Sequence, residues 1–322
     1  MVAALAAIIV TRIWVLQRIG TKESNPLRIV SPQETISEFG IEDFALTPEN
    51  YPRVDGSTST HPLEVVIAAR TLGLAYWWQQ HFDGTRRPVL ETSELEVVHH
   101  GTHQSYLNLI AGNADLILVA RLPSRDELDL AAKRDVALEA QAIALDAFIF
   151  LLNARNPVNG LTVEKIQGIY TGRVTNWSEL GGLDAEINPY QRNENSGSQE
   201  LMKRLVMKDL DMIDAPDLIL MGMMGPINAL TRDREGIGYS VYFFEEFMAP
   251  REEIKVCAID GVLPDPESIA GENYPLTTRV YAVIRTDTGQ DSTASRLRNW
   301  LSSSQGRTAI KESGYVPVPA SV

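Results

Sequence analysis

The sequence predicts an α/β protein whose chain is long enough to form two domains. Short apolar runs with strand character alternate along the chain with segments of helical periodicity, and this alternation is typical of α/β folds. The chain has 322 residues, of which 44% are hydrophobic and 22% are charged, so it has enough apolar material for a sizeable core. Length alone favours two domains. Two hydroxyl-rich loops, residues 56–60 and 192–198, each precede the start of a predicted helix.

The first 20 residues form a strongly apolar segment that carries Arg12 and Arg18. Its uninterrupted part is shorter than the roughly 20 residues that span a bilayer. It also lacks the charged start and the cleavage site of a simple signal peptide. Three interpretations stay open: an export segment, a membrane anchor, or an amphipathic surface helix. We expect an export or anchor role, and we expect the polar, proline-containing residues 21–50 to form a linker.

Apolar patterning beyond the linker predicts the order of strands and helices. Strand character is found at residues 95–99, 114–120, 141–153, 238–244, 254–259 and 279–285. Helical patterning is found at residues 63–78, 105–112, 162–170 and 294–312, with Thr162 as the N-cap of the third helix. Large aromatic residues beside apolar runs usually pack in a core, which is the role we expect for Trp77, Trp78, Trp177 and Tyr239.

Composition excludes several functional classes. The net charge is -13 and no basic stripe is present, so we expect no nucleic-acid binding. An acidic chain can still bind an anion in a small enclosed pocket, where local N–H dipoles and one guanidinium outweigh a screened field. The single cysteine, Cys257, lies in an apolar strand and is expected to be buried. His99, His100 and His103 lie close together without zinc-ligand spacing, so loop histidines are the preferred interpretation and no metal or cofactor is expected.

The two hydroxyl-rich loops are the strongest functional signal. A helix N-terminus carries unpaired N–H donors and partial positive charge, and it therefore suits a small oxyanion. Taken singly, the hydroxyls of either loop are explained by ordinary N-capping. Two such helix starts from distant parts of the chain, together with Arg192, predict an anion-binding cleft. No Gly-x-Ser-x-Gly motif, Walker motif or dinucleotide fingerprint accompanies them, and we expect no enzymatic activity.

An ordered series of motifs resembles the phosphate-binding proteins of high-affinity phosphate ABC transporters. The resemblance extends over about residues 51–318, and its motifs follow the same order as in that family. The matching segments are residues 146–153, 156–158, 161–177, 192–198, 236–239, 259–262, 274–279 and 305–318.

This resemblance implies a type II periplasmic-binding-protein fold, in which two α/β lobes joined by a hinge close on an anion in the cleft between them. The first lobe would comprise residues 51–141 and 239–322. The second lobe would comprise residues 142–238. One hydroxyl-rich loop then lies on each lobe, so that ligand binding itself favours closure.

The resemblance also implies which residues bind phosphate. The residues that match the family's hydroxyl and amide ligands are Thr58, Ser59, Thr102, Arg192, Ser196, Gly197 and Ser198. We expect Glu194 to orient Arg192. Arg121 stands where well-known members have an aspartate that accepts the phosphate proton, and we expect it to add affinity for any oxyanion.

The implied function is that of a non-enzymatic, extracytoplasmic solute-binding protein that presents inorganic phosphate to an ABC permease. We expect a monomer, with membrane anchoring through the N-terminus as one interpretation. Two alternatives stay open: a binder of another oxyanion such as sulfate or molybdate, and a membrane-tethered sensory or adhesion domain that has the same fold.

Overall fold

The fold is built around one long strand that passes through both halves of the molecule. The computed structural model describes residues 27–30 and 46–319. The predicted export or anchor segment, residues 1–20, lies outside the described residues, as does most of the predicted linker. The central strand, Leu138–Asn153, has 16 residues and is buried along nearly all of its length. It confirms and extends the strand that we predicted at residues 141–153.

The described residues form these strands in chain order: β1 Leu27–Val30, β2 Val54–Gly56, β3 Tyr76–Gln80, β4 Arg86–Leu90, β5 Leu116–Val119, β6 Leu138–Asn153, β7 Gly160–Leu161, β8 Asn188–Pro189, β9 Gln191–Arg192, β10 Ile219–Leu220, β11 Gly236–Val241, β12 Ile254–Val256, β13 Ala258–Ile259, β14 Thr277–Arg285 and β15 Val316–Pro317.

The α-helices between them are α1 His61–Leu72, α2 Thr102–Ala111, α3 Arg125–Lys133, α4 Val163–Tyr170, α5 Gly197–Leu201, α6 Met224–Leu230, α7 Pro266–Ala270, α8 Thr293–Trp300 and α9 Ser304–Ser313. Shorter helical segments of 3₁₀ or π type lie at Trp177–Leu180, Met202–Met207, Pro216–Leu218 and Phe244–Met248. Alternating strands and helices confirm the α/β class.

Strand β6 changes partners midway, and this change divides the sheet into two lobes. In the first lobe, β14 pairs antiparallel with residues 138–147 of β6, and β5 and β2 extend the sheet beyond β14. In the second lobe, β11 and β12 pair antiparallel with residues 148–153 of β6, and β8 joins β11 in parallel. The partner change at residues 147–148 makes β6 the connection between the lobes.

The chain crosses between the lobes more often than the single return at residue 239 that we predicted. Strand β11 still pairs in the second lobe, after which Phe243 stacks on Tyr315 beside the first-lobe strands, with ring centroids 3.9 Å apart. Strands β12 and β13 then pair again with second-lobe strands before β14 enters the first lobe. Apolar patterning marks strands but not the partner of each strand, so this crossing pattern was not visible in the sequence.

Most predicted helices are confirmed, with differences at their ends. Thr162 caps α4 by accepting a hydrogen bond from the Lys165 amide at 3.2 Å, as expected. Helix α2 begins at Thr102, three residues earlier than predicted. The last predicted helix is two helices, because Ser303 caps α9 by accepting from the Gly306 amide at 3.1 Å.

Two predictions in the region of residues 63–99 are wrong. Helix α1 ends at Gly73, which adopts a φ of 67°, and the chain then forms the β3–β4 hairpin. Trp77 lies on that hairpin and is 50% exposed rather than in the core. Residues 95–99 form no strand, although their apolar side chains pack against α1. Trp177, Tyr239 and Cys257 are fully buried, as predicted.

Candidate functional site

A cavity of about 300 Å³ lies where the two hydroxyl-rich loops face each other across the lobes. Its lining is rich in hydroxyls, backbone amides and cationic or imidazole groups. The lining residues are Ser57, Thr58, Ser59, His100, Gly101, Thr102, His103, Gln104, Ala120, Arg192, Asn193, Glu194, Ser196, Gly197, Ser198, Leu201, Met221, Gly222, Met223 and Val241. Among the predicted ligand residues, all but Arg121 are in this set.

The first-lobe loop connects β2 to the start of α1. Ser57 is held in place by its hydroxyl, which lies 2.7 Å from that of Thr102 and accepts a hydrogen bond from the Ala120 amide. The Thr60 hydroxyl is hydrogen-bonded to the Leu118 carbonyl and to the Glu64 carboxyl, so its partners lie within the first lobe. No side chain caps α1. Thr58 and Ser59, whose hydroxyls take no part in these bonds, line the cavity beside Ser57.

Helix α2 directs its N-terminus at the same cavity. Gly101 precedes it with a φ of 85° and a ψ of 158°, a conformation that is open essentially only to glycine. No side-chain cap satisfies the first turn of this helix. The first N–H groups of a helix have no partner within it, and the first-turn residues of α2, from Thr102 to Gln104, line the cavity. These donors are therefore available to an anion.

The second-lobe loop brings the start of α5 against α2. Ser196 caps α5 by accepting from the Gln199 amide at 3.3 Å, so ordinary N-capping is part of its role. A methyl group added at Gly197 would lie 2.6 Å from the Thr102 hydroxyl oxygen. Glycine, which has no side chain, allows this close approach without a shift of the Thr102 side chain or of either lobe. Ser198 is 2% exposed, and its hydroxyl has only a long contact of 3.7 Å with the Met223 sulfur.

Arg192 is a buried cation without an acidic partner. Its Nε donates to the Leu220 carbonyl at 3.0 Å, and its Nη1 lies 3.5 Å from the Met223 sulfur. Within the described part of the chain, no carboxylate forms an ion pair with it, and burial lowers its pKa to about 10. Removing an unpaired charge from water is costly. An anion in the cavity would supply the missing counter-charge.

Two expectations about charged partners are wrong. Glu194 does not orient Arg192, because its carboxylate pairs with Lys203 instead. Arg121 is 1% exposed, and its guanidinium forms a two-point ion pair with Glu127, with N–O distances of 2.7 and 2.8 Å. The guanidinium is thereby committed to a buried carboxylate. The position of Arg121 in the sequence did not reveal Glu127 as its partner, because Glu127 lies on the following helix.

The sequence analysis missed several residues that line the cavity. His100 and His103 were interpreted as loop histidines, yet each directs Nδ1 at a buried carboxylate, that of Asp55 at 3.0 Å and that of Glu127 at 2.8 Å. Their position beside Thr102 was the available signal. Met223 carries no polar pattern and could not have been found. In the part of the chain that the structure describes, no cluster of three His, Cys, Asp or Glu residues is arranged to hold a metal ion.

Family comparison agrees with this geometry. Residues 90–304, two thirds of the chain, match the family model described as a PBP superfamily domain. The chain belongs to the PBP superfamily.

Several known proteins resemble this PBP superfamily member. It is 22% identical over 272 residues to the phosphate-binding protein PstS of Staphylococcus aureus, a match that covers 82% of this chain and 77% of that protein. A structure titled as a putative phosphate ABC transporter substrate-binding protein with bound phosphate, from Clostridium perfringens, superposes with a TM-score of 0.63. It is 23% identical and covers 84% of this chain and 100% of its own.

An ABC-type phosphate transport receptor from Vibrio cholerae superposes with a TM-score of 0.59 at 23% identity, and the match covers 82% of this chain and 98% of that chain. These superpositions establish the two-lobed periplasmic-binding-protein fold. Within the described residues, no helix has the length and apolar character needed to span a bilayer.

Proposed function

We propose that this PBP superfamily member is an extracytoplasmic solute-binding protein that captures inorganic phosphate between its lobes. The observation that carries the proposal is Arg192, a buried guanidinium that has no acidic partner among the described residues and faces a cavity rich in hydroxyl and amide donors. The names of its relatives support phosphate as the anion, since the matched proteins from S. aureus, C. perfringens and V. cholerae are phosphate-binding or phosphate-transport proteins.

The donors of the proposed site come from both lobes. Thr58, Ser59 and Thr102 supply hydroxyl and amide donors from the first lobe, and Ser196, Gly197, Ser198 and Arg192 supply donors from the second. Charge-assisted hydrogen bonds are stronger than neutral ones, and the guanidinium fork matches two oxygens of a tetrahedral anion. Because one ligand contacts both lobes, its binding free energy favours the closed arrangement.

Binding without turnover suits a transport role. We propose that the protein acts as a monomer, outside the cytoplasm, and hands phosphate to the permease subunits of an ABC transporter. The N-terminal residues 1–20 would export it or hold it at the membrane.

Isothermal titration calorimetry on protein stripped of bound anions tests this proposal. We expect one phosphate per chain, with weaker binding of sulfate. Ser196→Ala removes a hydroxyl from the cavity and also a helix cap, so it is compared with Ser292→Ala, which removes the cap of α8 far from the cavity. Both variants lose about 1 kcal/mol of stability, but only Ser196→Ala loses phosphate affinity.

The same titrations decide among the alternatives. Equal affinity for phosphate and sulfate would make the protein a general oxyanion binder. The absence of heat with phosphate, sulfate and molybdate would refute anion binding altogether.

A further inference from the structure

One residue of the second lobe reaches the first lobe at two points. Asn195 precedes Ser196 and adopts a φ of 61°, in the left-handed region that asparagine tolerates better than most residues. Its side-chain amide donates to the Asp126 carboxylate at 3.0 Å, and its carbonyl accepts from Nη2 of Arg121 at 2.9 Å. Asp126 and Arg121 both belong to the first lobe.

The first-lobe half of this contact is rigid. Glu127 is fully buried, and it accepts hydrogen bonds from Nη1 and Nη2 of Arg121 and from the Ser124 amide at the start of α3. A planar guanidinium held at two points has little rotational freedom left. Arg121 therefore presents Nη2 to Asn195 from a fixed position. Asp126 lies in the first turn of the same helix.

The contact adjoins the cavity without being part of its lining. Asn195 directly precedes Ser196, whose cap begins the helix that presents Gly197 and Ser198 to the cavity. On the other side, Glu127 contacts His103, which does line the cavity. A displacement of Asn195 away from the first lobe would carry the second-lobe donors away from those of α2.

We propose that Arg121, Asp126 and Asn195 form a clasp that holds the two lobes together over the anion cavity. Arg121 is a positioning residue in this clasp and acts on the anion through Asn195 and the turn that follows it. The role in anion retention rests on the proposed function, whereas the role in closure does not. In the first lobe, Glu127 fixes the Arg121 guanidinium, with no group of the cavity lining needed for it.

The clasp is tested by variants that leave the buried Arg121–Glu127 pair intact. Asp126→Ala removes the acceptor of the side-chain bond, and Asn195→Gly removes its donor while glycine retains access to the left-handed conformation. Asp129→Ala is the matched control, because it removes an exposed carboxylate from the same helix. We expect all three variants to fold, with a slightly lower urea unfolding midpoint in Asp126→Ala because it also removes an acidic residue from the first turn of α3.

The primary measurement is the distance between spin labels at Lys133→Cys in the first lobe and Asp209→Cys in the second, both exposed positions. Double electron–electron resonance should show fewer short distances in Asp126→Ala and Asn195→Gly than in the parent or in Asp129→Ala. This is expected both without anion and at a subsaturating phosphate concentration. Loss of this exposed hydrogen bond to a carboxylate should also raise the phosphate dissociation rate about 2- to 5-fold.

Each outcome decides one question. Distance distributions that match the parent in both clasp variants, under both conditions, would overturn the clasp. A parent protein that binds no phosphate would overturn the proposed function, and the ligand-free distances would still decide on the clasp. The double variant Asp126→Ala/Asn195→Gly should raise the phosphate dissociation rate no more than either single variant does, because the two side chains act through one bond. Additive effects of the two substitutions would contradict the proposed bond.

Discussion

At the scale of single residues, charge pairing distinguishes the two buried arginines near the cavity. Arg121 has Glu127 as a buried partner, whereas the polar contacts of the Arg192 guanidinium within residues 46–319 are a carbonyl and a sulfur. A buried charge is stable when it is paired and hydrogen-bonded, and costly when it is not. Arg121 is therefore part of the fold, whereas Arg192 is the arginine that we propose binds the anion.

Arg192→Met tests this distinction. We expect phosphate affinity to fall at least about 100-fold, because charge-assisted hydrogen bonds contribute about 1.5–3 kcal/mol each. In the absence of anion the free energy of unfolding should stay the same or rise, since the variant removes an unpaired buried charge. Calorimetry gives the affinity, and urea unfolding in phosphate-free buffer gives the stability. A variant that unfolds easily yet still binds phosphate with unchanged affinity would place Arg192 in the scaffold alone.

Gly197→Ala tests the close approach of the lobes. The added methyl would lie 2.6 Å from the Thr102 hydroxyl oxygen, so one lobe has to move outward or the Thr102 side chain has to turn. We expect phosphate affinity to drop about 10-fold or more, with a small change in stability, because the added methyl meets a side chain of the opposite lobe and not the core of its own lobe. Gly289→Ala is the control, since nothing lies within 4 Å of its added methyl. Equal affinities in the two variants would contradict the observed lobe contact.

The sequence located the hydroxyl-bearing residues but not their charged partners. The two loops that carry Thr58, Ser196 and Arg192 were predicted from helix-start patterns, which are local in sequence, and in the structure these residues line one cavity. The pairing of Glu194 with Lys203, and that of Arg121 with Glu127, depends on how side chains from neighbouring elements pack. Several acidic residues lie near each of these cations in the sequence, and only the folded geometry decides which of them forms the ion pair.

At the scale of elements, strand β6 carries a buried carboxyl at the point where the lobes join. Asp146 accepts hydrogen bonds at Oδ1 from the Ala147 and Phe243 amides, and Oδ2 is buried without a partner. Burial raises the pKa of Asp146 to about 7. The folded state therefore binds a proton that the unfolded state releases between about pH 4 and pH 7, and this contribution to stability is lost as the pH rises through that range.

Asp146→Asn removes this titration. Between pH 5 and pH 8 the parent protein should lose up to about 3 kcal/mol of unfolding free energy through this group, at about 1.4 kcal/mol per pH unit. The variant should lose correspondingly less, so its stability relative to the parent rises with pH. Urea unfolding at both pH values measures the difference. An identical pH dependence in the two proteins would show that Asp146 is ionised throughout.

Helices and strands with a strong local apolar pattern could be predicted from the sequence. Elements whose conformation depends on tertiary contacts could not. The apolar run of β6 and the capping residue of α4 are local signals, and both were found. The start of β3, residues 76–78, was mistaken for the end of a helix because these residues are apolar and Gly73, which ends α1, is the only glycine between residues 63 and 78. The repeated crossing between lobes depends on strand pairing over long sequence distances, and no local pattern encodes it.

At the scale of the whole molecule, the proposed anion has to approach a protein whose net charge is also negative. The net charge of -13 repels an anion at long range, whereas the cavity attracts it at short range. Salt screens the first effect over a Debye length of about 10 Å at 0.1 M, and it screens an enclosed site much less. Ionic strength should therefore change the phosphate association rate more than the phosphate dissociation rate.

Stopped-flow measurements with increasing sodium chloride test this separation. We expect the phosphate association rate to rise as salt increases from low to physiological levels, because screening weakens the repulsion. The dissociation rate should change little, since the bound anion is enclosed by both lobes. An association rate that falls with salt would indicate that a positive local field dominates the approach.

A crystal structure of the protein with arsenate, a tetrahedral anion whose arsenic scatters anomalously, is the sharpest test of the anion cleft. We expect one anomalous peak within hydrogen-bonding reach of the Thr58 loop on one side and of the Arg192 guanidinium on the other. A peak elsewhere, with the cavity between the two loops empty, would contradict the assignment of this cleft as the anion site.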